Sequence, residues 1–176
     1  MRTFIAVMLV IAMLTLSGCG EQQNPTPSVN LHVAAIQGNL EAVQQHIAAG
    51  SNLDEPEPSR GSTPLITAAV FGHTEVARAL IAAGADVNYQ NNEGSTALHS
   101  AAFFCRSEIV QLLLENGADK SLRNNAEHTA LESVSAPFEK VKPIYDGLGA
   151  ALAPLGLKLD YQRIETTRPK IAEMLR

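Results

Sequence analysis

The sequence predicts an all-α chain: a solenoid of about four helix-turn-helix repeats with short finger loops and a C-terminal capping helix. Three observations carry that prediction. First, Thr63-Pro64-Leu65-Ile66-Thr67-Ala68-Ala69 recurs 33 residues later as Thr96-Ala97-Leu98-His99-Ser100-Ala101-Ala102. After the same interval it returns, degraded, as Thr129-Ala130-Leu131-Glu132-Ser133-Val134. A fixed period of this length marks stacked supersecondary units rather than one closed globule. Second, the glycines that end the units, Gly50, Gly84, Gly117 and Gly156, stand 34, 33 and 39 residues apart. Third, 45% of the residues are hydrophobic but only 5% are aromatic, and there is no Trp. Small Ala and Leu side chains let short helices stack closely, as a repeat array requires.

The first stretch stands apart from the repeats. Met1-Arg2 precedes an apolar run from Phe4 to Leu14, the charged-then-apolar layout of an export signal. About a dozen apolar residues fall short of the roughly 20 that a membrane-spanning helix needs. The run ends in Leu16-Ser17-Gly18-Cys19, and there it resembles the lipobox of bacterial lipoproteins. That resemblance implies removal of 1–18 and acylation of Cys19, with the folded part held at a membrane surface by its acyl chains. An ordinary signal peptide, or an anchor that merely contains a cysteine, is the alternative. Gly20 in place of Asp after the cysteine implies, by the same resemblance, transfer to the outer membrane and a periplasm-facing domain. Residues 19–29 are polar and punctuated by Pro25 and Pro27, so they read as a flexible tether.

The repeats follow in order. The first, about 30–61, carries Leu31-His32-Val33-Ala34-Ala35 and ends at Ala49-Gly50. It has Val29-Asn30 in place of the leading Thr-Pro, and Asn30 can still cap its helix. The second, about 62–94, is the fullest: Thr63 caps, Pro64 opens the first helix where its missing N–H costs nothing, and Gly72-His73 turns the chain. Glu75 to Ile81 then forms the second helix, which Gly84 ends. The third, about 95–127, repeats the plan with Ile109, Val110, Leu112, Leu113 and Leu114 as its apolar stripe. These residues and their spacing resemble the ankyrin-repeat family, with assurance over 29–134 and loosely to Asp160. Three departures stand out: Cys105-Arg106 replaces Gly72-His73, Glu127 replaces the finger glycine seen at Gly61 and Gly94, and the first finger is longer and acidic.

The fourth unit, about 128–161, holds some six extra residues near 135–140, where Pro137 and Pro143 are expected to break any continuous helix. Residues 162–176 place Ile171, Met174 and Leu175 at helical spacing. They read as a capping helix over the last repeat's apolar edge.

Charge and motifs narrow the function. Thirteen basic and 18 acidic residues give a net charge of −5; loss of Arg2 with the signal would make it −6. That balance argues against nucleic acid and against a polybasic lipid contact. With Cys19 lipidated, Cys105 has no disulfide partner and reads as a small buried residue. His32 and His99 fall at one repeat position, where the resemblance implies a bond between neighbouring units. His73 belongs to the turn, and His46 and His128 have no partner at metal-ligand or triad spacing. No Cys-x-x-Cys, His-Glu-x-x-His, phosphate loop or nucleophile elbow is present. The sequence therefore nominates no catalytic residue, cofactor, metal or small-molecule substrate, and the chain reads as no enzyme.

Recognition of another protein remains. The residues after each Ala-Ala pair, Val70-Phe71 and Phe103-Phe104, point to the concave face if the resemblance holds. Repeated apolar residues there suggest a partner patch, or else packing between repeats or under a finger. Tyr89, Asn91, Asn92 and Glu93 form one fingertip; Arg123, Asn124 and Asn125 form the next, and Arg106 stands at the turn. Small exported proteins of this kind resemble immunity proteins against a periplasm-acting toxic effector. They equally resemble accessory proteins of a periplasmic enzyme such as a catalase, and a general envelope scaffold is the third expectation.

Overall fold

The computed structural model describes residue 27 and residues 29–176. The signal-like segment 1–18, Cys19 and most of 19–29 lie outside the described residues. Among those described, the secondary structure is helical throughout: α1 (Leu31–Gln37), α2 (Leu40–Ala48), α3 (Pro64–Phe71), α4 (Thr74–Ala82), α5 (Ala97–Phe103), α6 (Ser107–Glu115), α7 (Ala130–Ser135), α8 (Phe138–Leu152), a 3-10 turn (Ala153–Leu155) and α9 (Tyr161–Leu175). None of these helices is long and apolar enough to cross a membrane.

Local chemistry places the helix starts. The hydroxyls of Thr63, Thr96 and Thr129 each accept from the backbone N–H three residues on. Asn30 and Asn39 cap α1 and α2 through their side-chain oxygens. Each such cap satisfies a donor that the helix cannot, and contributes about 1 kcal/mol. The first helices α1, α3, α5 and α7 stack in one layer, and α2, α4 and α6 stack behind them. Ala34, Ala35, Ala68, Ala69, Ala101 and Ala102 are fully buried in the first layer; side chains of one carbon allow that close approach. Leu65, Leu80, Leu98, Ile109 and Leu113 fill the space between the layers.

The N-terminal edge is finished with polar groups. His46 occupies the register of Leu80 and Leu113, but among the described residues no helix precedes α1 to bury a leucine there. Its Nε2 lies 2.7 Å from the Val29 carbonyl and its Nδ1 2.9 Å from the Ser51 hydroxyl. Sequence spacing offers this histidine no partner; the structure makes it the tie for the residues that lead into α1.

The C-terminal half corrects the expected boundaries. The second helix of the fourth unit is α9, which packs against α7, α6 and α5. It buries Ile164, Arg168, Ile171, Ala172 and Leu175 along one stripe. The expected division into a unit at 128–161 and a separate cap at 162–176 gives way to a unit made of α7 and α9. Between them α8 is an insertion of 15 residues that turns to the other face. Pro137 does end α7, because the residue before it, Ala136, is forced extended (ψ 146°). Pro143 does not break α8 as expected. Its missing N–H removes one bond, to the Glu139 carbonyl, and both residues are exposed, so water can serve that carbonyl.

Candidate recognition groove

The first helices, the fingers and α8 enclose an open groove of about 370 Å³. Its floor is Ile66, Val70, His99, Ser100, Phe103 and Phe104; the finger side carries Arg60, Ser62, Asn91, Glu93, Ser95, Asn124 and His128. Opposite stand Val141, Ile144, Leu148 and Leu152 of α8, four apolar residues on one helix face.

What holds α8 over the floor is Tyr145, which is fully buried. Its ring stacks on Phe103 with centroids 4.4 Å apart and planes at 18°. Its hydroxyl donates to the Phe103 carbonyl and accepts from Arg168 Nη1 at 2.9 Å. Arg168 is 3% exposed, and among the described residues no carboxylate pairs with it; its Nη2 donates to the carbonyls of Ala136 at 2.9 Å and Ser133 at 3.4 Å. Those carbonyls end α7, where the helix dipole favours a cation. Burial pushes the Tyr145 hydroxyl up to about 12, against a smaller opposing pull from Arg168. It remains a neutral donor at any working pH.

The fingers are built as a ladder. Asn92 N–H donates to the Arg60 carbonyl and Asn125 N–H to the Glu93 carbonyl, both at 2.9 Å. A Cβ at Gly94 would sit 2.7 Å from Asn125 Oδ1 and 2.9 Å from its backbone nitrogen, so each finger rests on the glycine of the finger before it. Asn91 Oδ1 accepts from the N–H groups of Glu93 and Ser95, and Asn124 Oδ1 from Ala126 and His128. His99 Nδ1 accepts from Thr96 N–H, and its Nε2–H donates to the His128 carbonyl at 3.0 Å. Burial holds its pKa below the usual histidine range, more than the His128 carbonyl raises it, so the ring is a neutral bridge between units. At the matching position, His32 Nδ1 is buried with no partner among the described residues. Val29 stands three residues before it, where Thr96 stands before His99.

Of the residues that sequence pointed to, Val70, Phe103, Phe104, Asn91, Glu93 and Asn124 line the groove. Phe104, however, is only 7% exposed and meets Phe103 edge to face at 5.3 Å, so it supports the floor from beneath. Phe71 stacks on His73 at 6.2 Å. Tyr89 packs on the core, and Asn92 lies against Gly61. Arg106 reaches back over Gly72 to donate to the Val70 carbonyl at 3.1 Å. One unit earlier His73 lies over Gly38, its Nε2 2.8 Å from the Ile36 carbonyl, so Arg106 does between units what histidine does. Arg123 is taken up by Glu132 at 2.7 Å. Missed altogether were the α8 wall, Tyr145 and Arg168. The spacing of Val141, Ile144, Leu148 and Leu152 was the available signal, and the two prolines masked it.

No group of three or more His, Cys, Asp or Glu that could hold a metal occurs among the described residues. Of the titratable groups at the groove, Arg60 stands 4.0 Å from Glu93, Glu132 pairs with Arg123, and the His99 ring is held by Thr96 and the His128 carbonyl. The arrangement is suited to holding a surface.

The comparisons agree with this geometry. A family model described as ankyrin repeats in three copies matches residues 31–124, more than half of the chain. The human DNA-binding protein RFXANK is 42% identical over 59 residues, covering 34% of this chain and 23% of that protein. Human protein phosphatase 1 regulatory subunit 27 is 35% identical over 70 residues, covering 40% and 45%. Among solved structures, the ankyrin repeat domain of Bcl-3 superposes with a TM-score of 0.56 at 36% identity, covering 58% of this chain and 45% of that one. The chain thus spans less than half the length of each of these relatives.

Proposed function

Because this chain belongs to the ankyrin-repeat family, we propose that it is a non-catalytic recognition protein that binds another protein through its concave groove and fingers. The observation that carries the reading is the groove itself: an apolar floor at Val70 and Phe103, a ladder of rigid fingers on one side and an apolar helix face on the other. Apolar surface of that extent on a small domain is a contact surface in waiting.

The same reading puts the protein at the bacterial envelope. Leu16-Ser17-Gly18-Cys19 behind an apolar run supports acylation of Cys19, and Gly20 supports an outer-membrane anchor with the solenoid facing the periplasm. In that setting the client is a periplasm-acting toxic effector, and the protein is its immunity factor. A relative named as a phosphatase regulatory subunit favours a second reading, in which the client is a resident periplasmic enzyme. Cross-linking the lipoprotein in intact membranes and identifying attached proteins by mass spectrometry tests both. One stoichiometric toxin-like partner supports immunity, and a resident enzyme supports the accessory role. A scatter of weak contacts overturns both. Metabolic labelling with an alkyne fatty acid tests the anchor: label on the native chain that persists in Cys19→Ser overturns it.

A further inference from the structure

The groove has two unlike walls, and together they select one kind of occupant. We propose that α8 and the concave floor form a clamp for a single amphipathic α-helix of the partner, about three turns long, with an uncharged apolar face. This deepens the protein-binding reading and rests on it.

Length comes from the α8 wall. Val141 to Leu152 spans eleven residue steps, about 16 Å at 1.5 Å per residue, or roughly three helical turns. Ile144 is 53% exposed although it belongs to the same apolar face as the fully buried Tyr145. Among the described residues nothing covers this apolar side chain.

Backbone bonding decides helix over strand. The walls are α3, α5, α7 and α8, whose amides are used within the helices. The fingers are no freer: the Arg60 and Glu93 carbonyls already accept from Asn92 and Asn125, and Asn91 N–H donates to the Ser95 carbonyl. An extended peptide laid here would bury amide groups with nothing to meet them. A helix brings its backbone already satisfied and needs only side-chain contact, which the apolar walls supply.

Charge decides the face. Around the groove, Arg60 stands 4.0 Å from Glu93, and Arg123 pairs with Glu132 at 2.7 Å. His99 is neutral and doubly bonded. A charged side chain turned toward Phe103 would lose its hydration against an apolar floor. Ser100 on the floor and Ser62 and Ser95 on the finger side leave room for uncharged polar residues at the margin.

Selection from a displayed library of random 16-residue peptides against the folded chain tests the clamp. The selected peptides are then measured on the native protein, on an Ile144→Asp, Leu148→Asp double variant and on Glu93→Lys. Thermal melts confirm that each variant is folded; Ile144 is exposed, and a single Ile144→Asp variant serves if the double variant is not folded. The clamp predicts peptides with apolar residues at i, i+3 or i+4 and i+7, gaining helicity on binding, and at least tenfold weaker on the α8 variant. Binding that ignores the α8 variant but falls with Glu93→Lys overturns the clamp and leaves the concave-face reading standing. Selected peptides rich in proline or bound in extended form overturn the helix. Absence of any binder overturns both readings. A concentration-dependent dimer dispersed by Ile144→Asp would put a second copy in the groove, and that too overturns the proposal.

Discussion

Arg168 on α9 donates to the hydroxyl of Tyr145 on α8 at 2.9 Å, and both residues are buried. One hydrogen bond therefore joins the helix that completes the last repeat to the helix that walls the groove. Tyr145→Phe would leave a buried Nη1 donor and the Phe103 carbonyl short of a partner, at a cost of about 1–3 kcal/mol. Tyr145→Ala adds a cavity and should cost about 3–5 kcal/mol. Urea titration followed by circular dichroism measures both; a Tyr145→Phe variant as stable as the native chain would mean that the polar contacts contribute nothing net.

The repeat core makes a simpler prediction. Leu98 and Leu113 are buried between the two helical layers, so either residue changed to Ala should lose about 2–5 kcal/mol. The same denaturation experiment reads this out, with a lower midpoint expected for each variant.

Two finger positions should respond in opposite directions. Glu127 holds φ at 59°, a conformation that costs a residue with a Cβ roughly 1 kcal/mol. Glu127→Gly relieves that strain and should stabilise the array by up to about 1 kcal/mol. Gly94→Ala puts a Cβ against Asn125 while holding φ at 70°, and should destabilise it by more than about 1 kcal/mol. Thermal melts of the two variants should bracket the native midpoint.

His99 gives a pH signature. Burial holds its folded pKa below the ordinary histidine value of 6.5, so the unfolded chain takes up a proton first as the pH falls. Stability is therefore complete above about pH 6.5 and declines below it, until the folded ring also protonates. The carboxylates lowered by hydrogen bonds, Glu57, Asp119 and Glu132, add their losses further down, below about 4.5. A series of urea midpoints from pH 7.5 to 5.5 should fall in the native chain and fall less in His99→Leu, which has lost this contribution to the pH dependence.

Cys105 should be chemically silent while the protein is folded. Burial raises its thiol to about 11, and 1% of its surface is exposed. At pH 8 a thiol-reactive dye should label it only after unfolding, so that the labelling rate reports global opening. Rapid labelling of the native protein would contradict the buried placement.

The three regular repeats were legible because every cue agreed: cap, proline or alanine at the first turn, alanine pair, turn and terminal glycine all fall on one period. The fourth unit was not. Its stripe lies in α9, beyond an insertion, and a count of residues between glycines cannot show that α7 skips one helix to find its partner. At the groove, Val70 and Phe103 were legible from the position after the alanine pair, whereas the polar fingertips Asn91 and Asn92 looked free in sequence and are spent on backbone donors and on the neighbouring finger. Arg168 could not be found by pattern at all. Its partners are carbonyls and a phenol from two other helices, and charge alone suggested solvent.

The finger ladder also gives the molecule a direction. Each unit presents a bare glycine on which the next can be seated, at Gly61 and again at Gly94, until Glu127 presents a side chain instead. A further finger has no berth there. To seat another finger in the same way, the chain would need a residue without a side chain at position 127.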